Sequence, residues 1–338
     1  MFSIREAFPS DLDELAEVAV YLDTVNLPND RAILERIIDV SRRSFDGQLP
    51  PFEREYLFVL VDHDARRLVG TCMIQAQHGT RRSPHVFYEV LEDERYSDTL
   101  DLHFVHRCLR IGWSYAGPTE IGGLILLPEY RGRPQGLGKL LSYVRFLYIG
   151  LHRERFRDEV LSELLPPLEP DGTSLLWESL GRKFTGLSYQ EADRLSKDNK
   201  EFIRALFPQD MLYTTLLPQP VQGIIGQVGP NTRGVEKMLR AIGFTHAGRI
   251  DPFDGGPHFT ARTGDVTLVR DARRARVAAE GGEGTQPGIV AVERAGVPHF
   301  VATGARFRLL PDGEIALPEA VRRLLDVAPG EEVGCVPV

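Results

Sequence analysis

The stretch from Glu120 to His152 constrains the fold more than any other. It reads as a short apolar run, a turn rich in glycine and arginine, and an amphipathic helix. Leu124, Ile125, Leu126 and Leu127 follow one another without a polar residue and stop at Pro128, the pattern of a strand covered on both faces. From Leu137 to His152, Leu140, Leu141, Val144, Leu147 and Tyr148 recur at helical spacing and predict one apolar face. The turn between them holds Arg131, Arg133, Gly136, Gly138 and Lys139. Glycine lets a ligand reach the backbone, and the first amides of a helix lack partners within it. That end of a helix favours anions. The amides of Gly136, Leu137 and Gly138, with Arg131, Arg133 and Lys139 beside them, therefore form a candidate pyrophosphate cradle.

Two familiar phosphate loops are excluded by spacing. A nucleoside-triphosphate loop needs Ser or Thr after Gly-Lys, and here Leu140 follows Gly138-Lys139. A dinucleotide turn needs a third glycine where Leu141 stands. Composition narrows the partners further. Net charge is −8 with both signs interspersed, so no nucleic-acid-binding stripe is expected. Cys72, Cys108 and Cys335 lie far apart and have no zinc spacing, and His103 and His106, three apart in a strand-like run, would face opposite sides. No metal is expected. The three dispersed cysteines fit a reducing compartment, and neither a leader pattern nor an apolar run of membrane-spanning length is seen, so a cytoplasmic protein is expected.

Read in order, the first half gives a strand over Phe2 to Phe8, helices from Leu12 and from Arg31 to Phe45, and a hairpin of Tyr56 to Val61 with Leu68 to Ala76. In the second helix Ile33, Leu34, Ile37 and Val40 are expected inward. Residues 77 to 117 form an insertion with strand-like Val86 to Val90 and Leu102 to Trp113. Glu159 to Leu165 reads as a strand, Ser174 to Phe184 and Ser188 to Leu206 as helices, and Tyr213 to Leu217 as a strand. Asn231-Thr232 caps a helix that ends at Gly243. Glu280 to Gly288 reads as a linker, followed by strands at 289–293, 300–302 and 306–310 and a helix over Leu317 to Leu325.

Arg133-x-x-Gly136-x-Gly138, set between a strand and a helix, resembles the pyrophosphate loop of the GNAT superfamily of acyl-CoA N-acyltransferases. A more specific likeness runs from about residue 2 to the end. Leu-Leu-Ser-Tyr-Val-Arg-Phe-Leu at 140–147, Leu-Leu-Trp-Glu-Ser-Leu-Gly-Arg-Lys-Phe at 175–184, Ile-Gly-Gln-Val at 225–228 and Ile-Asp-Pro-Phe-Asp-Gly-Gly-Pro at 250–257 resemble the arginine N-succinyltransferase family. The resemblance implies an α+β fold: tandem GNAT-like acyltransferase halves with mixed sheets flanked by helices, plus a small C-terminal β domain. The expected boundaries are 1–186, 187–275 and 276–338. It also implies succinyl-CoA as co-substrate, L-arginine as the small-molecule amine acceptor, and direct attack of the amine on the thioester. A homo-oligomer is compatible with the sequence.

On that resemblance Leu124 and Leu126 would line the pantetheine and Glu120 would take the amine proton. Tyr213 would act as acid or polar partner, and Asp251 and Asp254 would bind the acceptor. Each has a plain structural alternative: a strand-end carboxylate, a packed tyrosine, a capped turn. Gly122-Gly123 predicts a bulge or a close backbone approach. Three positions depart from the family pattern. Gly229 stands where the family has its proton-donor histidine, Leu165-Pro166 replaces Arg-Gly, and Leu22 to Asn26 replaces a glycine-rich turn. His246 and His258 are the histidines that would substitute, and Arg81-Arg82 would meet the acyl carboxylate. The departures leave two rivals open: another amine or acyl group, or an acyl-CoA-binding protein without catalysis. The tail from Gly313 to Val333 also looks like a swapped-hairpin DNA-binding pattern, which the acidic balance disfavours against a structural β domain.

Overall fold

A computed structural model describes residues 1–21, 27–81, 83–196, 199–282 and 284–338. The expectations for Leu22 to Asn26 and for Arg82 lie outside these residues. The chain forms two compact units, each assembled from separated segments: 1–76 with 119–158 and 262–338, and 77–118 with 159–261.

In the first unit Phe2–Glu6, Glu55–Asp62, Arg67–Gln75 and Thr119–Leu126 form an antiparallel sheet. Phe2–Glu6 is joined on its other side by Phe300–Leu309. That long strand also belongs to a closed five-stranded barrel with Gln286–Glu293, Glu332–Pro337, Arg273–Val277 and Glu314–Ala316. Closure gives each of these five strands a neighbour on both sides among the described residues. Val277, Val290, Phe307, Ile315, Leu317, Leu325 and Cys335 fill its interior. The two short runs expected at 300–302 and 306–310 are one strand, and the strand after the linker begins at Gln286.

Helix Leu137–Leu151 lies against the sheet and carries buried Leu140, Leu141, Tyr143, Val144, Phe146, Leu147 and Ile149. Its single expected apolar face is therefore corrected: the barrel and the short helix Thr267–Asp271 cover it from other sides, which sequence periodicity had no means of showing. Helix Arg31–Phe45 starts at Asp30, whose carboxylate accepts from the Ile33 amide at 3.1 Å. It buries Leu34, Ile37, Ile38, Ser41 and Ser44, leaving Ile33 and Val40 half-buried. Ser41 and Ser44 turn inward because their hydroxyls accept from the amides of Leu57 and Glu55.

The second unit has a sheet ordered Glu159–Glu163, Pro257–Arg262, Thr245–Ile250, His85–Ser97, Leu102–Ser114 and Leu212–Tyr213. The insertion supplies a hairpin of two thirteen-residue strands, in register from His85↔Ser114 to Ser97↔Leu102. Its base packs with Leu176, Trp177, Ile203, Ile225 and Phe253, with Trp177 stacked on Phe253 at 5.0 Å. The segment 188–206 holds two helices, Tyr189–Ser196 and Glu201–Leu206, and the strand expected at 213–217 is only Leu212–Tyr213 followed by one turn. Among the described residues no helix is long and apolar enough to cross a membrane.

Candidate active site

The central strand of the first unit is built to present backbone. Between Thr71↔Ile125 and Met73↔Gly122 the register slips by one residue, so Gly123 and Leu124 share a single partner position. This is the bulge that the glycine pair predicted. Gly123 takes φ +56, and a Cβ there would sit 2.8 Å from Met73 Cγ. Two side chains fix the bulge: Thr71 Oγ1 donates to Gly123 O at 2.8 Å, and Arg145 Nη1 donates to Gly122 O at 3.3 Å. Arg145 is 2% exposed and also donates to Ser142 O and Ser142 Oγ, and burial pulls its guanidinium below its usual range. The sequence reading did not single it out; an arginine within an apolar helical run was the available signal. Beside it the buried Cys72 thiol is pushed up to about 12, which removes it as a nucleophile.

The strand is not covered on both faces. Ile121, Ile125 and Leu127 are buried, while Leu124 and Leu126 on the alternate face are half-buried. At the strand's start Glu120 is 4% exposed and stands opposite Gln75. Its neighbour Thr119 anchors that end, donating to Ala76 O at 2.8 Å and accepting from the Arg157 amide at 2.9 Å.

The strand leads into the cradle. Arg131 Nε donates back to Leu126 O at 2.9 Å, Arg133 Nε donates to Glu129 O at 3.0 Å, and the Arg133 guanidinium lies 3.9 Å over the Tyr130 ring. Gly136 caps the helix at φ +62, a left-handed conformation that costs other residues roughly 1–2 kcal/mol. Its own amide donates to Arg133 O at 3.0 Å. The amides open to an anion are therefore those of Leu137, Gly138 and Lys139, one step further on than the predicted set. Beside them is a cavity of about 610 Å³, walled by Gln135, Gly136, Lys139, Leu140 and Tyr143 on one side and by barrel residues including Gly288, Gly304 and Arg306 on the other.

The second unit holds the remaining predicted residues. Asp251 Oδ1 accepts from the amides of Phe253 (2.7 Å) and Asp254 (3.1 Å), and Asp254 Oδ1 accepts from the Gly256 amide at 2.7 Å. One oxygen of each carboxylate thus closes the turn. Burial, with Asp251 adjacent, raises the Asp254 carboxyl well above the usual carboxylate range. Tyr213 lies by the hairpin, where its hydroxyl donates to Asp93 Oδ2 at 2.5 Å and accepts from Arg95 Nη2 at 3.2 Å. His246 is exposed, His103 meets Glu94 and His106 meets Thr215.

Two of the departures from the family pattern meet. The Gly229 amide donates to Leu165 O at 2.9 Å, and a Cβ on Gly229 would lie 2.5 Å from Pro166 O. No side chain fits there without moving that backbone. A group that sequence spacing concealed lies elsewhere in the same unit: His85 and His258, both buried, stack at 5.4 Å, and each approaches Glu163 Oε1, at 3.4 and 3.3 Å.

The model of the family described as arginine N-succinyltransferase beta subunit matches residues 2–268. The chain belongs to the arginine N-succinyltransferase family. An arginine N-succinyltransferase of Escherichia coli O6:K15:H31 is 33% identical over 281 residues, 82% of this chain and 81% of that protein. The arginine N-succinyltransferase subunit beta of Pseudomonas aeruginosa is 34% identical over 274 residues, 80% of this chain and 79% of that one. The solved structure of arginine/ornithine succinyltransferase subunit AI from Pseudomonas aeruginosa superposes with a TM-score of 0.85 at 27% identity, covering 100% of this chain and 98% of that one. Membership bears out the expected family and the α+β acyltransferase fold, and makes the protein an acyl-CoA-dependent N-acyltransferase.

Proposed function

We propose that the protein transfers the succinyl group of succinyl-CoA to the α-amine of L-arginine or a close amine. The observation that carries the reading is the left-handed Gly136 opening a helix whose first amides stand beside a 610 Å³ cavity, directly after a bulged strand. The diphosphate of CoA would lie on the amides of Leu137, Gly138 and Lys139, where helix end and basic side chains both favour negative charge. Pantetheine amides would pair along Leu124 and Leu126, the half-covered face. Transfer itself needs no metal: a neutral amine attacks the thioester carbon, negative charge gathers on oxygen, and the C–S bond breaks. The amide freed by the bulge would meet that oxygen, since Thr71 and Arg145 hold the bulge carbonyls on the other side.

Glu120 would take the amine proton from its place at the start of the strand that leads into the cradle. Tyr213 fits a polar partner better than an acid, because Asp93 already accepts its proton. The outer oxygen of Asp251 would meet the acceptor's cation, whereas Asp254, buried and driven toward its protonated form with the Tyr189 hydroxyl on its outer oxygen, fits a turn-closing role better. The relatives' names make arginine the first acceptor to test and, from the Pseudomonas structure, ornithine the second.

A second reading, a different amine, is favoured by one contact. Gly229 packed on Leu165-Pro166 leaves no space for the histidine that the family resemblance implies, so an acceptor end formed there would differ from that pattern. Free-thiol release measured with succinyl-CoA or acetyl-CoA against arginine, ornithine and a panel of other amines separates the two. Turnover with arginine and succinyl-CoA supports the first; turnover only with another amine supports the second. Tight CoA binding with no thiol release from any pair would overturn both.

A further inference from the structure

The second unit contains a convergence of imidazole and carboxylate groups that acyl transfer does not use. His78 and His85 come from the start of the insertion, and Glu163 ends the strand Glu159–Glu163. One potential ligand atom from each lies within 4.8 Å of the other two. The two imidazoles meet edge to face with centroids 4.5 Å apart, and His85 Nε2 is 3.4 Å from Glu163 Oε1. Donors bound tetrahedrally to zinc at about 2.0–2.1 Å stand roughly 3.3–3.4 Å from one another, so this pair already has ligand spacing.

His85 is the deciding residue. It is 2% exposed, and neither ring nitrogen makes a hydrogen bond among the described residues. A buried imidazole with both nitrogens unsatisfied costs free energy and calls for an absent partner such as an ion. We infer that His78, His85 and Glu163 form a binding site for one divalent transition-metal ion of the zinc class. Two imidazoles and a carboxylate are a donor set suited to zinc or cobalt and poorly suited to magnesium or calcium, which take oxygen. Burial, with the His78 and His258 rings beside it, lowers the pKa of His85 and so favours the neutral form that ligates. His258 Nε2, 3.3 Å from the same Glu163 oxygen, would hold that carboxylate in place, and the Asp251 carboxyl from the adjoining turn lies close to both. Linear spacing hid the site because its members come from positions 78, 85 and 163. The acyl-transfer reading invokes none of these three side chains as ligands or bases, and the one group it shares with the cluster is the neighbouring Asp251.

The full chain, stripped with chelator, is titrated with zinc alone by calorimetry and with cobalt(II) by visible absorption, alongside His78→Ala, His85→Ala and His246→Ala. The expected result is about one equivalent bound, with the visible bands of low-coordinate cobalt. Affinity should fall at least about tenfold in His78→Ala and His85→Ala and stay unchanged in His246→Ala. If His85→Ala does not fold, His78→Ala decides, since that ring is half-buried outside any helix or strand. Failure of the parent protein to bind zinc at micromolar concentrations overturns the site, as does equal binding by His78→Ala. Neither result bears on thiol release, which is measured separately.

Discussion

The cradle of the first unit and the imidazole–carboxylate cluster of the second handle charge in opposite ways. At Leu137, Gly138 and Lys139 the donors are backbone amides of a helix start, running from buried Leu137 to exposed Lys139, with Arg131 exposed beside them. Around Glu163 the groups are side chains, buried at His85, His258 and Asp254 and half-buried at His78 and Glu163, and burial drives His85 toward neutrality and Asp254 toward its protonated form. Backbone donors survive most changes of side chain. A buried cluster depends on each side chain, and the second unit also holds the departures at Gly229 and Leu165-Pro166.

That contrast can be broken at five points. Glu120→Gln should lower kcat by about 10²–10⁴-fold, the usual range for losing a general base, with CoA affinity by calorimetry unchanged. An activity loss under threefold would remove Glu120 from the chemistry. Gly229→His places the histidine that the family resemblance implies, but its Cβ meets Pro166 O at 2.5 Å. It should cost roughly 1–3 kcal/mol in denaturant unfolding and restore no activity. A variant that gains activity at parental stability would show that the backbone at 165–166 yields. Gly136→Val forces a β-branched residue into φ +62 and should weaken CoA binding by about tenfold, from roughly 1–2 kcal/mol of strain. Parental affinity in this variant would move the diphosphate off the cradle.

Arg133→Ala should weaken CoA binding by only about two- to fivefold, an effect that shrinks further at high salt, as befits a partly solvated charge. A loss that ignores salt would mean that the guanidinium is enclosed when CoA binds. The smallest effect is on stability against pH. Asp254 keeps its proton in the folded chain above the pH at which the unfolded chain has lost it, so its contribution falls as pH rises through the range above ordinary carboxylates. Asp251, Asp193 and Tyr189 surround it, and Asp254→Asn should flatten that part of the melting-temperature profile. An unchanged profile would place the proton elsewhere in the turn.

Several features were legible residue by residue. The bulge at Gly123, the helix beginning after Gly136 and the hairpin at 56–76 each follow from the preferences of a few neighbours, and all stand where the pattern placed them. Periodicity failed where distant chain intervened. Helix Leu137–Leu151 is buried nearly all round because the barrel, encoded more than a hundred residues later, packs on it. Leu124 and Leu126, apolar by sequence, are left half-covered. His78, His85 and Glu163, the proposed metal ligands, have no spacing along the chain to read.

By itself, then, the sequence determined the local chemistry: a strand that bulges, a helix that opens on glycine with free amides, and a family likeness strong enough to imply acyl transfer. These depend on interactions within a few residues, where propensity and hydrogen-bond geometry suffice. Tertiary structure alone decided that Gly229 lies on Pro166, that Arg145 holds the bulge, and that three side chains from two segments converge in the second unit. Such meetings are settled by which apolar surfaces bury one another across the whole chain, and no local pattern records them.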